Sequence, residues 1–371
     1  MIRVLVVDDS RYARQSLRHI IENDDRLTVV GEAMDALQAR DLIKQLDPDV
    51  VTLDVEMPGM DGIKFLENLI RLRPTPVVMV SSLTQRGADA TFRALEIGAV
   101  DYVAKPNGAD GSNLEAFASQ IVEKVVAASM VSPGLLASKS AKLRQDFAER
   151  KHAAPPTVTD VDIRREAFHG LVVGVGASTG GPEALRDFIS QLPGAFPPVL
   201  ISLHIQPGFS TSLANRLNSV SQLEVREAED GLPIEPGCAY LAPGDHHIEL
   251  VQIGFKPILR VHQAPKVNMH RPSVDVMFDS IARYGITDKA LGVIMTGMGK
   301  DGAQGLLRMR QAGMTTFAQD EASSVVWGMP GEAHKIGAAT ETLPLDRMAA
   351  KSVDWAQKRA RSVPMGRRVT R

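Results

Sequence analysis

Two stretches of this chain repeat one instruction: an aliphatic run, then an amphipathic helical pattern, then another aliphatic run. In residues 1–128 the runs are IRVLVV, LTVVGE, DVVTLD, PVVMVS and AVDYVA. Between them, apolar residues recur at helical spacing: Ala13/Leu17/Ile20/Ile21, Leu37/Leu42/Ile43/Leu46, Ile63/Leu66/Leu69/Ile70 and Phe92/Leu95. Leu114/Phe117/Ile121/Val125 follow the last run. A strand with water on one face alternates in polarity. These runs do not, so both faces must be covered. Five such strands joined by helices predict a parallel (βα)5 sheet between two helical layers.

The second stretch, residues 169–350, opens with LVVGVGASTGGP. It continues through PVLISLH, a helix near Thr211–Leu217, CAYLAP, and the hairpin-like pair HHIELVQI and KPILRVHQ. A helix over Pro272–Arg283, the strand ALGVIMT, the glycine loop TGMGKDGAQG, a helix into Arg310 and the strand MTTFAQD complete it. This predicts a doubly wound, mostly parallel α/β domain with one antiparallel hairpin. Residues 129–168 mix charges, small residues and Pro155-Pro156. They read as a linker, helical at most around Ala141–Arg150. Residues 351–371 are basic and are expected to form a disordered tail.

Bulk properties narrow the function classes. A length of 371 residues accommodates two cores, and a net charge of -2 gives no argument for nucleic acid or an anionic membrane surface. MIRVLVVDDS does not read as a secretory signal, and no apolar run reaches the length of a membrane span. The single Cys238 excludes an internal disulfide and fits a reducing cytoplasm, where it is expected to pack as a small core residue.

Open parallel sheets place their chemistry at the C-terminal ends of their strands. In the first domain those ends carry Asp8, Asp9, Asp54, Ser81 and Lys105. Crowded carboxylates repel unless a cation joins them, and all-oxygen ligands suit Mg²⁺. A lysine and a hydroxyl alongside are what a phosphoryl group on a carboxylate needs. VLVVDDS, VTLDVEMPGMDG, VMVSS and DYVAKP together resemble the receiver domain of bacterial response regulators, a flavodoxin-like fold. The resemblance implies that Asp54 accepts phosphoryl from a histidine kinase. It implies Mg²⁺ held by Asp9, Asp54 and the Glu56 backbone carbonyl, with Asp8 acting through the metal's waters. It also implies that Lys105 pairs with the phosphoryl, Ser81 moves toward it, and Tyr102 is the switching aromatic.

In the second domain, Gly176-x-Ser178-x-Gly180 has the spacing of a nucleophile elbow, with amides after Ser178 placed to hold an oxyanion. Thr179 stands where a dinucleotide loop needs its third glycine, which argues against a dinucleotide site. His204 ends the next strand, and Asp301 lies in the glycine loop after another. Parallel strands would bring Ser178, His204 and Asp301 to one sheet edge as nucleophile, base and orienting acid. His246, His247 and His270 lack a helical H-x-x-x-H spacing and predict no metal site.

GASTGGPEAL, SLHIQPGF, HRPSVDVMF and TGMGKDGA resemble the effector domain of the chemotaxis protein-glutamate methylesterases. That resemblance implies hydrolysis of γ-glutamyl methyl esters on chemoreceptor cytoplasmic helices, and in many members deamidation of glutamines there. It assigns the oxyanion contact to the Met298 backbone amide, with Thr179 beside the nucleophile, and implies no cofactor for the esterase. The alternative is a phosphorylation-dependent binding module on a weakened esterase fold, which the intact Ser178, His204 and Asp301 argue against.

Overall fold

The structure is a computed structural model. It describes the chain apart from residues 58–61, 83–84, 107–110, 133, 139, 142–164, 255, 286 and 363–371. It divides into two compact units, Met1–Pro155 and Pro156–Arg371.

In the first unit, β1 (Ile2–Val7), β2 (Leu27–Ala33), β3 (Val50–Asp54), β4 (Val77–Ser81) and β5 (Asp101–Ala104) form one sheet. Its order is β2-β1-β3-β4-β5, and every pairing is parallel. The aliphatic runs explain the topology: β3, β4 and β5 are buried at every position. Ser10 and Asp35 cap the helices Arg11–Glu22 and Ala36–Leu46 through their side chains. The strand order reverses between β1 and β3, so Asp8, Asp9 and Asp54 meet there. The helix Gly111–Ser129 buries Phe117, Ile121 and Val125. Val131 and Leu136 are also buried, and Ser140 Oγ donates to the Arg71 carbonyl at 3.2 Å. Residues just after 129 therefore belong to this unit rather than to a free linker. The expected helix around Ala141–Arg150 lies almost entirely outside the described residues.

The second unit is built on seven parallel strands: β6 (Val172–Ala177), β7 (Val199–Leu203), β8 (Glu224–Glu227), β9 (Cys238–Leu241), and β12 (Ala290–Ile294), β13 (Thr315–Gln319) and β14 (Glu341–Leu343) after an inserted hairpin. Their order is β14-β13-β12-β6-β7-β9-β8. The hairpin, β10 (His247–Ile253) and β11 (Lys256–His262), is the antiparallel insertion the sequence predicts. It buries Ile248, Leu250 and Leu259 in the same core as Cys238. From β6 the chain builds one flank with β7 to β9 and then returns to build the other with β12 to β14. The C-terminal ends of β6, β7 and β12 thus lie side by side at the switch point.

The expected disordered tail is corrected in its first half. The helix Leu345–Ser362 runs past residue 351 and buries Met348, Ser352, Trp355 and Ala356. It packs on the helix Gly181–Ile189, which begins three residues after Ser178, and on the short 3-10 turn Arg165–Phe168. Only Met348 and Trp355 of its buried stripe are large and apolar, set among small and basic residues, so the apolar periodicity is weak to read. Arg359 lies 4.9 Å over the Trp355 ring, adding a cation–π contact. Trp355→Ala is expected to destabilise the second unit by about 3–5 kcal/mol, measured by denaturant unfolding. A tail without packing would give a loss within about 0.5 kcal/mol.

Candidate active site

Ser178 follows the last residue of β6, and three local features fix it. Its N–H donates to the Thr296 carbonyl at 3.0 Å, and its own carbonyl accepts from the Gly181 N–H at 2.7 Å. Gly180 turns the chain with φ +74, a conformation that glycine adopts without steric cost. Gly297 passes so close that a Cβ there would lie 2.7 Å from Ser178 Cβ. Because Gly181 N–H is spent on Ser178, that amide is not free for an oxyanion. Among the described residues the Met298 N–H donates to no group, which leaves it available beside the serine loop. Thr179 is fully buried, its carbonyl accepting from Thr296 Oγ1 at 2.9 Å.

The three strand-end residues come together. His204 Nδ1 lies 3.1 Å from Ser178 Oγ, and its Nε2 lies 2.8 Å from Asp301 Oδ2. An ionised carboxylate only accepts, so Nε2 carries the proton and Nδ1 is left to accept from the Ser178 hydroxyl. The serine and the aspartate are nearly sealed from solvent, with Ser178 at 2% exposure.

Asp301 is the most heavily bonded group of the site. Ser273 Oγ and Asn268 Nδ2 donate to Oδ1, each at 2.7 Å, and the Asp275 N–H reaches it at 3.4 Å. The Val274 N–H donates to Oδ2 at 2.7 Å. Two of these amides are the first of the helix Val274–Tyr284, so the positive end of that helix faces the carboxylate. Burial alone would raise the Asp301 pKa, but His204, Asn268 and Ser273 together hold it well below the usual carboxylate range. Nearby Asp275 shifts the other way: burial raises it despite the Gly305 N–H at 2.6 Å.

Three of these contributors escape a reading of the sequence. Ser273 has the pattern of a helix cap, and that start is legible in PSVD, but its hydroxyl serves Asp301 instead of its own helix. Asn268 sits in a loop with no signal. His270 lies flat against His204, ring centroids 3.6 Å apart and planes 12° from parallel. That contact restricts rotation of the His204 ring out of the line between Ser178 and Asp301. His247 is buried, with Nδ1 accepting from the Ser273 N–H and Nε2 facing the Pro265 carbonyl, which ties the loop to the hairpin.

In the first unit, Lys105 Nζ lies 2.7 Å from Asp54 Oδ2 and 2.8 Å from Asp8 Oδ2. Carboxylate oxygens of Asp8, Asp9 and Asp54 fall within 4.8 Å of one another. Asp8 Oδ2 is buried, and the Lys105 ammonium is the group that faces it. Three carboxylates crowded this closely make an all-oxygen donor set that fits Mg²⁺. Glu56 N–H reaches Asp54 Oδ1 at 3.3 Å, and Ser81 is buried with its hydroxyl 3.3 Å from the Gly87 carbonyl. Tyr102 is buried edge-on to Phe92, centroids 6.0 Å apart. Burial raises the Asp54 pKa, Lys105 only partly offsetting it. Burial also opposes the Lys105 charge, yet its bonds to Asp54 and Asp8 prevail and its pKa is raised.

With this geometry in view, residues 173–352 match the CheB methylesterase family and residues 4–115 the response regulator receiver domain. A relative from Xanthomonas oryzae pv. oryzae, named protein-glutamate methylesterase/protein-glutamine glutaminase 2, is 50% identical over 351 residues, covering 94% of this chain and 96% of that one. The chain belongs to the protein-glutamate methylesterase/protein-glutamine glutaminase family. Relatives of the same name from Burkholderia thailandensis and Pseudomonas aeruginosa are 50% and 48% identical, covering 95% and 96% of this chain and 98% of each relative. The crystal structure of the Thermotoga maritima CheB methylesterase catalytic domain is 41% identical over 50% of this chain and 98% of that one, with a TM-score of 0.49. The methylesterase match contains Ser178, His204 and Asp301, and the receiver match contains Asp8, Asp9, Asp54, Ser81, Tyr102 and Lys105.

The raised Asp54 pKa has a stability consequence. Ionising Asp54 costs more in the folded receiver than in the unfolded chain. Its contribution is therefore fully present below the ordinary carboxylate pKa and is lost as pH rises through the raised folded value. Asp54→Asn is expected to raise the receiver melting temperature at pH 7 in Mg²⁺-free buffer, with the gain disappearing below about pH 4. Calorimetry of the full-length protein across that range reads it, and an unchanged or lower melting temperature at pH 7 contradicts the assignment.

Proposed function

We propose that this chain is a serine hydrolase that removes methyl esters from glutamate side chains of chemoreceptors in the cytoplasm, under control of receiver phosphorylation. The observation that carries the reading is the unbroken line from Ser178 Oγ through His204 to Asp301, at 3.1 and 2.8 Å. His204 Nδ1 takes the Ser178 proton as the oxygen attacks the ester carbonyl. The imidazolium that forms is stabilised by Asp301, whose five donors keep it ionised. The oxyanion is held by the Met298 N–H, with Thr179 beside the nucleophile. His204 returns its proton to the departing methoxide, releasing methanol and leaving an acyl-enzyme. Water, deprotonated by His204, then breaks that ester to give the glutamate carboxylate and free serine. A glutamine carboxamide follows the same course with ammonia leaving, in keeping with the second half of the relatives' name.

For control, Asp54 accepts the phosphoryl group of a chemotaxis histidine kinase. Asp9, Asp54 and the Glu56 carbonyl, supported by Asp8, would hold Mg²⁺, which supplies charge neutralisation to the phosphoryl oxygens. Lys105 stays paired with the new charge, and Ser81 and Tyr102 move with it, biasing a two-state switch. A tenfold change in activity requires only about 1.4 kcal/mol of coupling.

Released methanol from methyl-labelled receptor is the direct test. Ser178→Ala is expected to abolish most of it with the melting temperature unchanged, and His204→Ala to abolish as much while lowering the melting temperature, because it strips a donor from the buried Asp301. Asp301→Asn should cost about 10⁴-fold by favouring the wrong imidazole tautomer. Near-normal turnover by Ser178→Ala would remove the mechanism. For control, three rates are compared: a fragment from about Phe168 onward, the unphosphorylated full chain, and Asp54→Asn with a small phosphodonor and Mg²⁺. The fragment is expected to exceed the other two, and a fragment no faster than the unphosphorylated chain contradicts restraint by the receiver.

A further inference from the structure

One segment beside the site carries a strained backbone and presents more than the groups that serve the triad. Val267 and His270 close a tight turn through two backbone hydrogen bonds, at 3.1 and 2.9 Å. The residues between them, Asn268 and Met269, both have left-handed backbone, with φ of +51 and +69. Asparagine tolerates that region; methionine rarely enters it. Such strain persists only where the surroundings over-determine it, and here they do. Asn268 Nδ2 bridges Asp275 and Asp301 at 2.7 Å each, and His270 lies against His204. On the far side, Arg271 clamps Asp245 and the carbonyls of Gln263 and Ala264. What this scaffold holds up at its tip is Met269, 81% exposed, with half-exposed Val267 beside it.

We propose that Met269 is the contact by which the esterase grips the body of its substrate helix while one side chain enters the site. The inference rests on the function proposed above and names a docking point for it. With Ser178 only 2% exposed, a long thin side chain can reach the nucleophile but a polypeptide backbone cannot. The helix bearing that side chain must therefore rest on the rim, and the turn, one residue from the ring stacked on His204, is part of that rim. An unbranched, polarisable methionine moulds itself to an apolar helix surface without needing one fixed partner geometry. Setting it on a rigid turn removes the ordering cost that a floppy contact would incur on binding.

The test uses the full-length protein, treated with acetyl phosphate and Mg²⁺, on two substrates: methyl-labelled receptor in membranes and p-nitrophenyl acetate. M269D is expected to raise KM for receptor by about tenfold with kcat little changed. Hydrolysis of p-nitrophenyl acetate should stay within about twofold, because that ester spans no rim. M269L should restore receptor turnover. M269G separates docking from folding: glycine adopts φ +69 freely, so the melting temperature should rise while KM for receptor also rises. Equal receptor KM in M269D, M269G and the native protein overturns the inference alone. So does a parallel loss on both substrates, which would make the turn a support for His204 only. Native protein that cleaves p-nitrophenyl acetate but releases no methanol from receptor overturns the proposed function, and the docking point with it.

Discussion

A single buried negative charge organises the catalytic unit. An ionised carboxylate withdrawn from water costs several kcal/mol unless it is paired and hydrogen-bonded. Asp301 meets that demand with groups far from it in sequence: His204 on the loop after β7, and the run from the turn around Asn268 to the N-terminus of the helix Val274–Tyr284. Much of the nearby geometry follows. The helix must start where it does so that two amides point at the carboxylate, and Gly305 must come close enough to bond Asp275 behind it. The imidazole of His204 then has one proton placement left to it.

The two units use the same kind of position for opposite chemistry. Asp54 and Asp301 are each buried carboxylates at the C-terminal edge of a parallel sheet, yet their affinities for protons diverge. Asp301 has its lone pairs occupied by donors and is a poor ligand or nucleophile, but a dependable anion. Asp54 has one lysine and one distant amide, and stays electrostatically unsatisfied among other carboxylates. That unmet demand suits the cation-binding and phosphoryl-accepting role proposed above for Asp54. Environment, not residue type, separates the two carboxylates and the roles proposed for them.

The strands and their order of chemistry were legible because their signals are local. Aliphatic runs reveal fully covered strands, glycine loops reveal sharp turns, and parallel connection places Ser178, His204 and Asp301 on one edge. The strands β8 and β14 were not read, being four and three residues long with half-exposed patterns. Nor was the ordered part of the C-terminal helix, whose buried face is small and whose remaining residues are charged. Asn268, His270 and Ser273 depend on which loop folds over which strand end, a long-range fact that no spacing records. His270 in particular reads as an unremarkable loop histidine until its ring is seen against His204.

The shortness of β8 and β14 has a consequence of its own. They are the two margins of the seven-stranded sheet, and each begins with an exposed glutamate, Glu224 and Glu341. The interior strands, apolar on both faces, are the kind of segment that propagates fibrils once uncovered. A margin three or four residues long, carrying charge, offers an incoming chain too few backbone groups to align on. The sheet is thus insulated against growth in either lateral direction, so that two copies meeting edge to edge have no ladder to extend.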